Sequence, residues 1–117
     1  MMAEITASAY QDLRNYIKTN WQYIVIKSDK GLEILRIKTD DPRVTWLSSD
    51  DAQIMTVELR LTGLDFTTKP IVLTKAEIYK TSVDGVPMVS ETFMPVTLEV
   101  DADKLTITIN IQVPKVI

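Results

Sequence analysis

Residues 105–113 of the chain read Leu-Thr-Ile-Thr-Ile-Asn-Ile-Gln-Val, an unbroken alternation of apolar and polar side chains. Side chains on a β-strand point alternately to opposite faces, so the pattern predicts a strand with one row on a protein core and the other towards solvent. Nine residues at about 3.3 Å each make this strand close to 30 Å long. Pro114 follows, and it ends the pairing because it has no N–H to donate.

The same two-residue period appears in residues 53–62, which are predicted to form a second amphipathic strand. The core-facing row predicted there is Met55, Val57, Leu59 and Leu61. Phe66, in the loop that follows, is predicted to anchor inward. The chain holds 14 Thr, 13 Ile and 11 Val among its 117 residues, and β-branched side chains favour strands. Further strands are predicted at residues 21–28, 32–38, 44–47 and 71–80, and from Phe93 through residues 96–100.

Turn residues separate these strands. Residues 28–31 end in Gly31 and are predicted to join the first two strands as a hairpin. Residues 82–90 contain Asp84-Gly85 and Pro87, which indicates a turn or a broad loop. Residues 101–104 read Asp-Ala-Asp-Lys and are predicted to be a four-residue hairpin loop before the last strand.

The beginning of the chain follows a different period. Ser8 and Gln11 form a predicted capping box, and the helix is expected over residues 8–19, ending at Asn20. Its apolar side chains recur at helical spacing: Ala9, Tyr10, Leu13, Tyr16 and Ile17. A helix of about three turns is marginal alone, so its apolar stripe must pack on something.

Together these patterns predict a mainly β protein, an antiparallel β-sandwich of seven or eight strands with one N-terminal amphipathic α-helix. A small barrel is the alternative arrangement of the same strands. One domain is expected, with the helix in residues 1–20, the sandwich in residues 21–112 and a C-terminal arm in residues 113–117.

Composition excludes several classes of function. The chain has no His and no Cys, so it cannot hold a Ser-His-Asp triad, a Cys nucleophile or a thiolate or imidazole zinc site. Its net charge of −3 argues against binding to nucleic acid. With three Gly residues it has no phosphate-binding loop. We therefore expect no enzymatic activity and no cofactor. No signal peptide or membrane span is predicted, because the longest apolar run, residues 23–26, is far too short.

The sequence contains candidate residues for two other kinds of site. Acidic pairs at Asp40-Asp41, Asp50-Asp51 and Asp101-x-Asp103 suggest a calcium or magnesium site, but Asp is also common in turns because its side chain bonds the nearby backbone. Their spacing fits no specific metal loop, so the turn interpretation is favoured. Six aromatic residues are candidates for a sugar-binding or partner-binding platform: Tyr10, Tyr16, Trp21, Tyr23, Trp46 and Tyr79. The preferred interpretation is that both Trp residues seal the core, with Tyr79 the most exposed aromatic residue.

The surface itself is the remaining candidate for function. A sandwich has open edges that must be covered or paired, and residues 110–117 are mostly uncharged. Residues 113–117 are predicted to be an apolar arm that adds to a neighbour. The predicted contact residues are Tyr10, Leu13 and Ile17 on the helix and Val113, Lys115, Val116 and Ile117 on the arm. The alternative for the helix is that it packs only against its own sandwich.

Several motifs together carry a family resemblance. A strand with Tyr79 leads through the Asp84-Gly85 turn to Glu91-x-Phe93, and Asp103-x-Leu-Thr-Ile opens the last strand. The start of the chain adds an amphipathic helix followed by Trp21-x-Tyr-Ile. Over residues 8–38 and 71–114 the chain resembles small β-sandwich virion proteins of tailed bacteriophages and prophages.

The resemblance implies a structural role in the virion. A tail or baseplate is the preferred location, and head decoration is the second choice. The resemblance also implies partners that are other copies of the chain and other virion proteins, and no catalysis. No individual functional residue is carried over. The alternatives are a carbohydrate- or calcium-binding recognition module that uses Trp46 and Tyr79, and an enzyme or ligand carrier that needs a deep apolar pocket.

Overall fold

The computed structural model describes residue 3, residues 6–47 and residues 54–112. Helix α1 and strands β1 to β7 follow one another in this part of the chain, with a short 3-10 helix, Gly63–Asp65, after β4. Their bounds are α1 (Ala7–Asn20), β1 (Tyr23–Ser28), β2 (Glu33–Lys38), β3 (Val44–Trp46), β4 (Ile54–Thr62), β5 (Ile71–Tyr79), β6 (Val89–Leu98) and β7 (Lys104–Gln112).

The strands form two antiparallel sheets. One has four strands in the order β2-β1-β5-β6, and the other has three in the order β3-β4-β7. The core lies between them, which confirms the predicted β-sandwich with its N-terminal helix. The predicted alternation in β4 is also confirmed: Met55, Val57, Leu59 and Leu61 are each at most 2% exposed. Ile107, Ile109 and Ile111 of β7 face the same core.

Strand β1 is buried on both faces. It lies between β2 and β5, and Ile24, Val25 and Ile26 are fully inaccessible to solvent. A strand covered on both sides needs a continuous apolar run rather than an alternating one, and the centre of β1 has that run. The predicted hairpin to β2 is confirmed, and Gly31 adopts φ +75° in its turn.

The start of α1 corrects the predicted capping box. The helix is capped by Thr6, whose backbone is extended and whose hydroxyl accepts a hydrogen bond from the Ala9 amide. Ser8 therefore lies inside the first turn. The last turn is closed by the Trp21 amide, which bonds the Ile17 carbonyl, so Trp21 ends the helix and does not begin β1.

The connection between β6 and β7 is a second correction. These strands were predicted to be a hairpin, but they belong to different sheets, so residues 99–103 carry the chain from one sheet to the other. The crossing is close to the 3-10 helix, where the Gly63 amide bonds the Asp103 carbonyl. Strand β6 also begins at Val89, earlier than predicted, and Phe66 is buried as predicted.

Candidate assembly interface

The two sheets expose four edge strands, and three of them carry features that oppose pairing with another chain. Strand β3 has three residues. Strand β2 has six and carries Glu33, Arg36 and Lys38. In β6 the register with β5 shifts, so that the segment from Phe93 to Pro95 bulges opposite Thr74. Short length, charge, proline and bulges are the usual protections of an edge.

Strand β7 has almost none of these protections, since its one charged residue, Lys104, stands at its first position. It is nine residues long, and after Lys104 it contains no charged residue, no Pro and no Gly. Its other side pairs with β4 without a break from Lys104 to Gln112. Within the described residues no strand pairs with its free side.

The backbone groups on the free side of β7 can be identified from the ladder. The Gly63 amide bonds the Asp103 carbonyl, so these two form a hydrogen-bonded pair of the β4–β7 register. Hydrogen-bonded pairs recur at every second residue of an antiparallel ladder. Residues 105, 107, 109 and 111 therefore bond to β4, whereas Thr106, Thr108 and Asn110 direct their N–H and C=O groups to the free side.

An apolar cleft of about 290 Å³ opens beside this edge, between β6 and β7. Its apolar lining is Ala76, Phe93, Met94, Val96, Leu105 and Ile107. Met94, on the bulged part of β6, is 84% exposed. The sandwich is thus open along the side where β7 ends its sheet, and apolar side chains line that opening.

The predicted helix contacts divide into two groups. Ile17 is buried in the core of its own chain and Tyr10 packs against that core, as the alternative interpretation of the helix expected. Leu13 is 42% exposed, beside Tyr16 at 49%. Leu13 therefore stays a predicted contact residue. Val113, Lys115, Val116 and Ile117 lie outside the described residues.

Tyr79 corrects the prediction of an exposed aromatic. It is 5% exposed, and the Arg36 guanidinium lies 4.5 Å from the centre of its ring. The same guanidinium donates to the Thr81 and Asp84 carbonyls, so it also holds the loop that follows β5 over the sheet. Trp21 and Trp46 are half-buried against the core, as predicted.

A buried polar cluster lies on the outer face of the four-stranded sheet. Glu77 is 4% exposed and accepts hydrogen bonds from the Tyr79 hydroxyl at 2.9 Å and the Ser90 hydroxyl at 3.0 Å. The Lys27 ammonium lies 2.7 Å from Glu77 Oε1. Burial by itself raises the pKa of Glu77, but hydrogen bonds from Lys27, Tyr79 and Ser90 outweigh it and leave that pKa lowered.

The other members of this cluster shift in the complementary direction. The hydrogen bond to Glu77 raises the pKa of Lys27. Burial, and then the bond to Glu77, raises the pKa of Tyr79. Each group is held in the form that its partners need, so the polar groups of the cluster satisfy one another within the sheet. The sequence pattern does not predict this cluster, because its only local signal is charged residues within the two apolar strands β1 and β5.

The aspartates bond mainly to nearby backbone and cationic groups, which confirms the turn interpretation for two of them. Asp41 accepts from the Arg43 amide and guanidinium, and these bonds lower its pKa to about 2. Asp103 accepts from the Glu99 and Val100 amides, which lowers its pKa. No group of three potential metal ligands occurs within the described residues. Asp50 and Asp51 lie outside them.

Comparison of the chain with protein-family models, curated proteins and solved structures finds no match. In the described part of the chain, no helix has the length and apolar character required to cross a membrane.

Proposed function

We propose that this chain is a non-enzymatic structural protein of a bacteriophage virion or phage-like particle. A place in the tail or baseplate is favoured over a place as a decoration protein of the head. The chain assembles with other protein chains through its sheet edge, and Leu13 and the C-terminal arm are further predicted contacts. The observation that carries the proposal is the unprotected edge of β7. A long uncharged edge exposes hydrogen-bonding groups that natural sandwiches otherwise cover, so its retention indicates a partner.

The polar groups of the chain support a structural role. Every buried side-chain nitrogen and oxygen atom in the described residues has a hydrogen-bond partner. Groups that act on a substrate often lie in a cleft with a strongly shifted pKa. Here the buried carboxylate with a shifted pKa, Glu77, bonds to three side chains of its own sheet, whereas the cleft beside β7 is mainly apolar.

The recognition-module alternative has less support. It needs an exposed aromatic surface, but Tyr79 is covered by Arg36, and Trp46 is half-buried with the Lys18 ammonium 5.8 Å from its ring centre. Tyr79 is thus closed to a sugar, and Trp46 offers only part of its ring for stacking.

The virion assignment is tested on particles from the organism that encodes the chain. Particles released after induction are purified on a density gradient, digested with trypsin and analysed by quantitative mass spectrometry. Residues 81–104 form one tryptic peptide, since no Lys or Arg precedes Lys104 in that segment. We expect this peptide in the particle fraction at a fixed ratio to other virion proteins. Its absence from intact particles, with the chain present in the lysate, would overturn the assignment.

A further inference from the structure

We propose that β7 pairs antiparallel with β7 of a second copy of this chain, with Thr108 opposite Thr108 across a two-fold axis. The inference rests on the proposed assembly function and names the partner and the register. It joins the two three-stranded sheets into one six-stranded sheet, in the order β3-β4-β7 and then β7-β4-β3 of the second copy.

The backbone of β7 is suited to this pairing. Thr106, Thr108 and Asn110 direct their N–H and C=O groups away from β4, as derived above from the Gly63–Asp103 bond. Opposite residues in a hydrogen-bonded antiparallel pair exchange two bonds. Full overlap of the nine residues sets Thr108 opposite itself and Thr106 opposite Asn110 of the second copy, so all three residues find partners.

Side-chain chemistry is self-complementary in the same register. The even-numbered residues of β7 are polar, and each lies opposite a polar residue of the second copy. Leu105 lies opposite Ile111 of the second copy, and Ile107 lies opposite its Ile109. Lys104, the only charged residue of the strand, meets Gln112 and not another Lys. Like charges that lie directly opposite destabilise a strand pair, and this pairing has none.

The cleft beside β7 adds apolar burial to the same contact. A two-fold axis perpendicular to the sheet places both four-stranded sheets on the same side, so that the two clefts face each other. Phe93, Met94 and Leu105 line each cleft together with the charged Glu91, and Met94 is 84% exposed in the single chain. Covering these side chains removes apolar surface from water, which is the main driving force of association.

Cysteine cross-linking tests the register, because the chain contains no Cys and each introduced thiol reports alone. In Thr108→Cys the two Cα atoms would be about 5.5 Å apart, within the range of a disulfide. Thr106→Cys alone would place the thiols four residues apart along the strands, roughly 13 Å. In the double variant Thr106→Cys/Asn110→Cys, the thiol at position 106 of one copy lies opposite the thiol at position 110 of the other. Thr45→Cys, exposed on β3, is the control for random collision.

We expect rapid disulfide-linked dimers from Thr108→Cys and from the double variant, and none from Thr106→Cys or Thr45→Cys. In the unmodified chain the amides of Thr106, Thr108 and Asn110 should exchange with deuterium more slowly as concentration rises. Equal cross-linking of Thr45→Cys, or exchange at these amides that is independent of concentration, would overturn the pairing. If the pairing fails but the chain is found in purified particles, the structural role is still supported. If the chain cross-links as expected but is absent from particles, only the pairing is supported.

Discussion

The Lys27 ammonium lies 2.7 Å from Glu77 Oε1 on the outer face of the four-stranded sheet, although the two residues belong to strands far apart in the chain. Glu77 is 4% exposed and also accepts the Tyr79 and Ser90 hydroxyls. Removing one partner of a buried pair leaves the others unsatisfied, which is more destabilising than the pair itself is stabilising.

Glu77→Ala is therefore expected to lower the free energy of unfolding by about 2–4 kcal/mol, measured by urea denaturation. Asp40→Asn is the control, since Asp40 and Lys38 are both well exposed and 4.0 Å apart, and it should change stability by less than about 0.5 kcal/mol. Similar losses in both variants would contradict a structural role of the buried cluster.

Arg36 is expected to hold the loop of residues 81–88 on the sheet. It pairs with Glu33 through two bonds, stacks on Tyr79 and donates to the Thr81 carbonyl at 2.7 Å. Lys keeps the charge but has neither the planar fork nor the stacking surface. Arg36→Lys should lower stability by roughly 1–2 kcal/mol and speed proteolysis within this loop. Arg60→Lys, at an exposed pair with Glu58, should leave both unchanged.

Acid should weaken the fold partly through Asp41. Its pKa is about 2 in the folded chain, against an ordinary value of 3.8, because Arg43 binds the charged carboxylate. As pH falls, the Asp41 carboxylate therefore takes up a proton in the unfolded chain before it does so in the folded chain. The stabilisation that Asp41 contributes is complete above about pH 5 and is lost as pH falls towards 2. Asp41→Asn should lower stability by about 1–2 kcal/mol at pH 7, and the difference should vanish near pH 2. A difference that persists at pH 2 would assign the effect to packing.

Gly63 is the position where a side chain should be least tolerated. A Cβ there would lie 2.7 Å from the Val100 carbonyl carbon and 2.8 Å from the Asp101 Cα, and both belong to the backbone of the crossing segment. Gly63→Ala should lower the melting temperature by roughly 10 °C. Gly31→Ala, with φ +75° but open space around it, carries only the conformational strain and should lower it by about 5 °C. Equal effects would mean that the close approach to Val100 is relieved by movement of the crossing segment.

The alternation of apolar and polar residues predicted the fold correctly for strands that have one face on the core and the other in solvent. The alternation in β4 and β7 identified the core-facing residues correctly. In a half-buried strand every second side chain faces the core and is apolar, while those between face solvent and are polar. The local pattern could not predict that residues 99–103 cross between sheets, since the same turn residues suit a hairpin and a crossing. The free edge of β7 depends on strand order, which is a property of the whole sandwich.

Contacts between distant segments explain two of the remaining differences. Tyr79 was predicted to be exposed because Arg36, which covers its ring, belongs to β2, far away in the chain. The Lys27–Glu77 pair likewise joins β1 to β5. The start of α1 differs for a local reason, because Thr6 and Ser8 are both good N-cap residues, and Thr6 is the one whose extended backbone precedes the helix.

Thr108→Lys is the sharpest test of whether the free edge of β7 drives association. In a single chain the new ammonium extends into solvent from the outer face of the sheet, so the fold should tolerate it. In the proposed pair it lies directly opposite its own copy, where two like charges destabilise the contact. The dissociation constant from sedimentation equilibrium should rise about three- to tenfold, with less effect at high salt. Thr45→Lys on β3 adds the same charge to the same sheet and should leave association unchanged; a matching rise there would attribute the effect to net charge and not to the β7 contact.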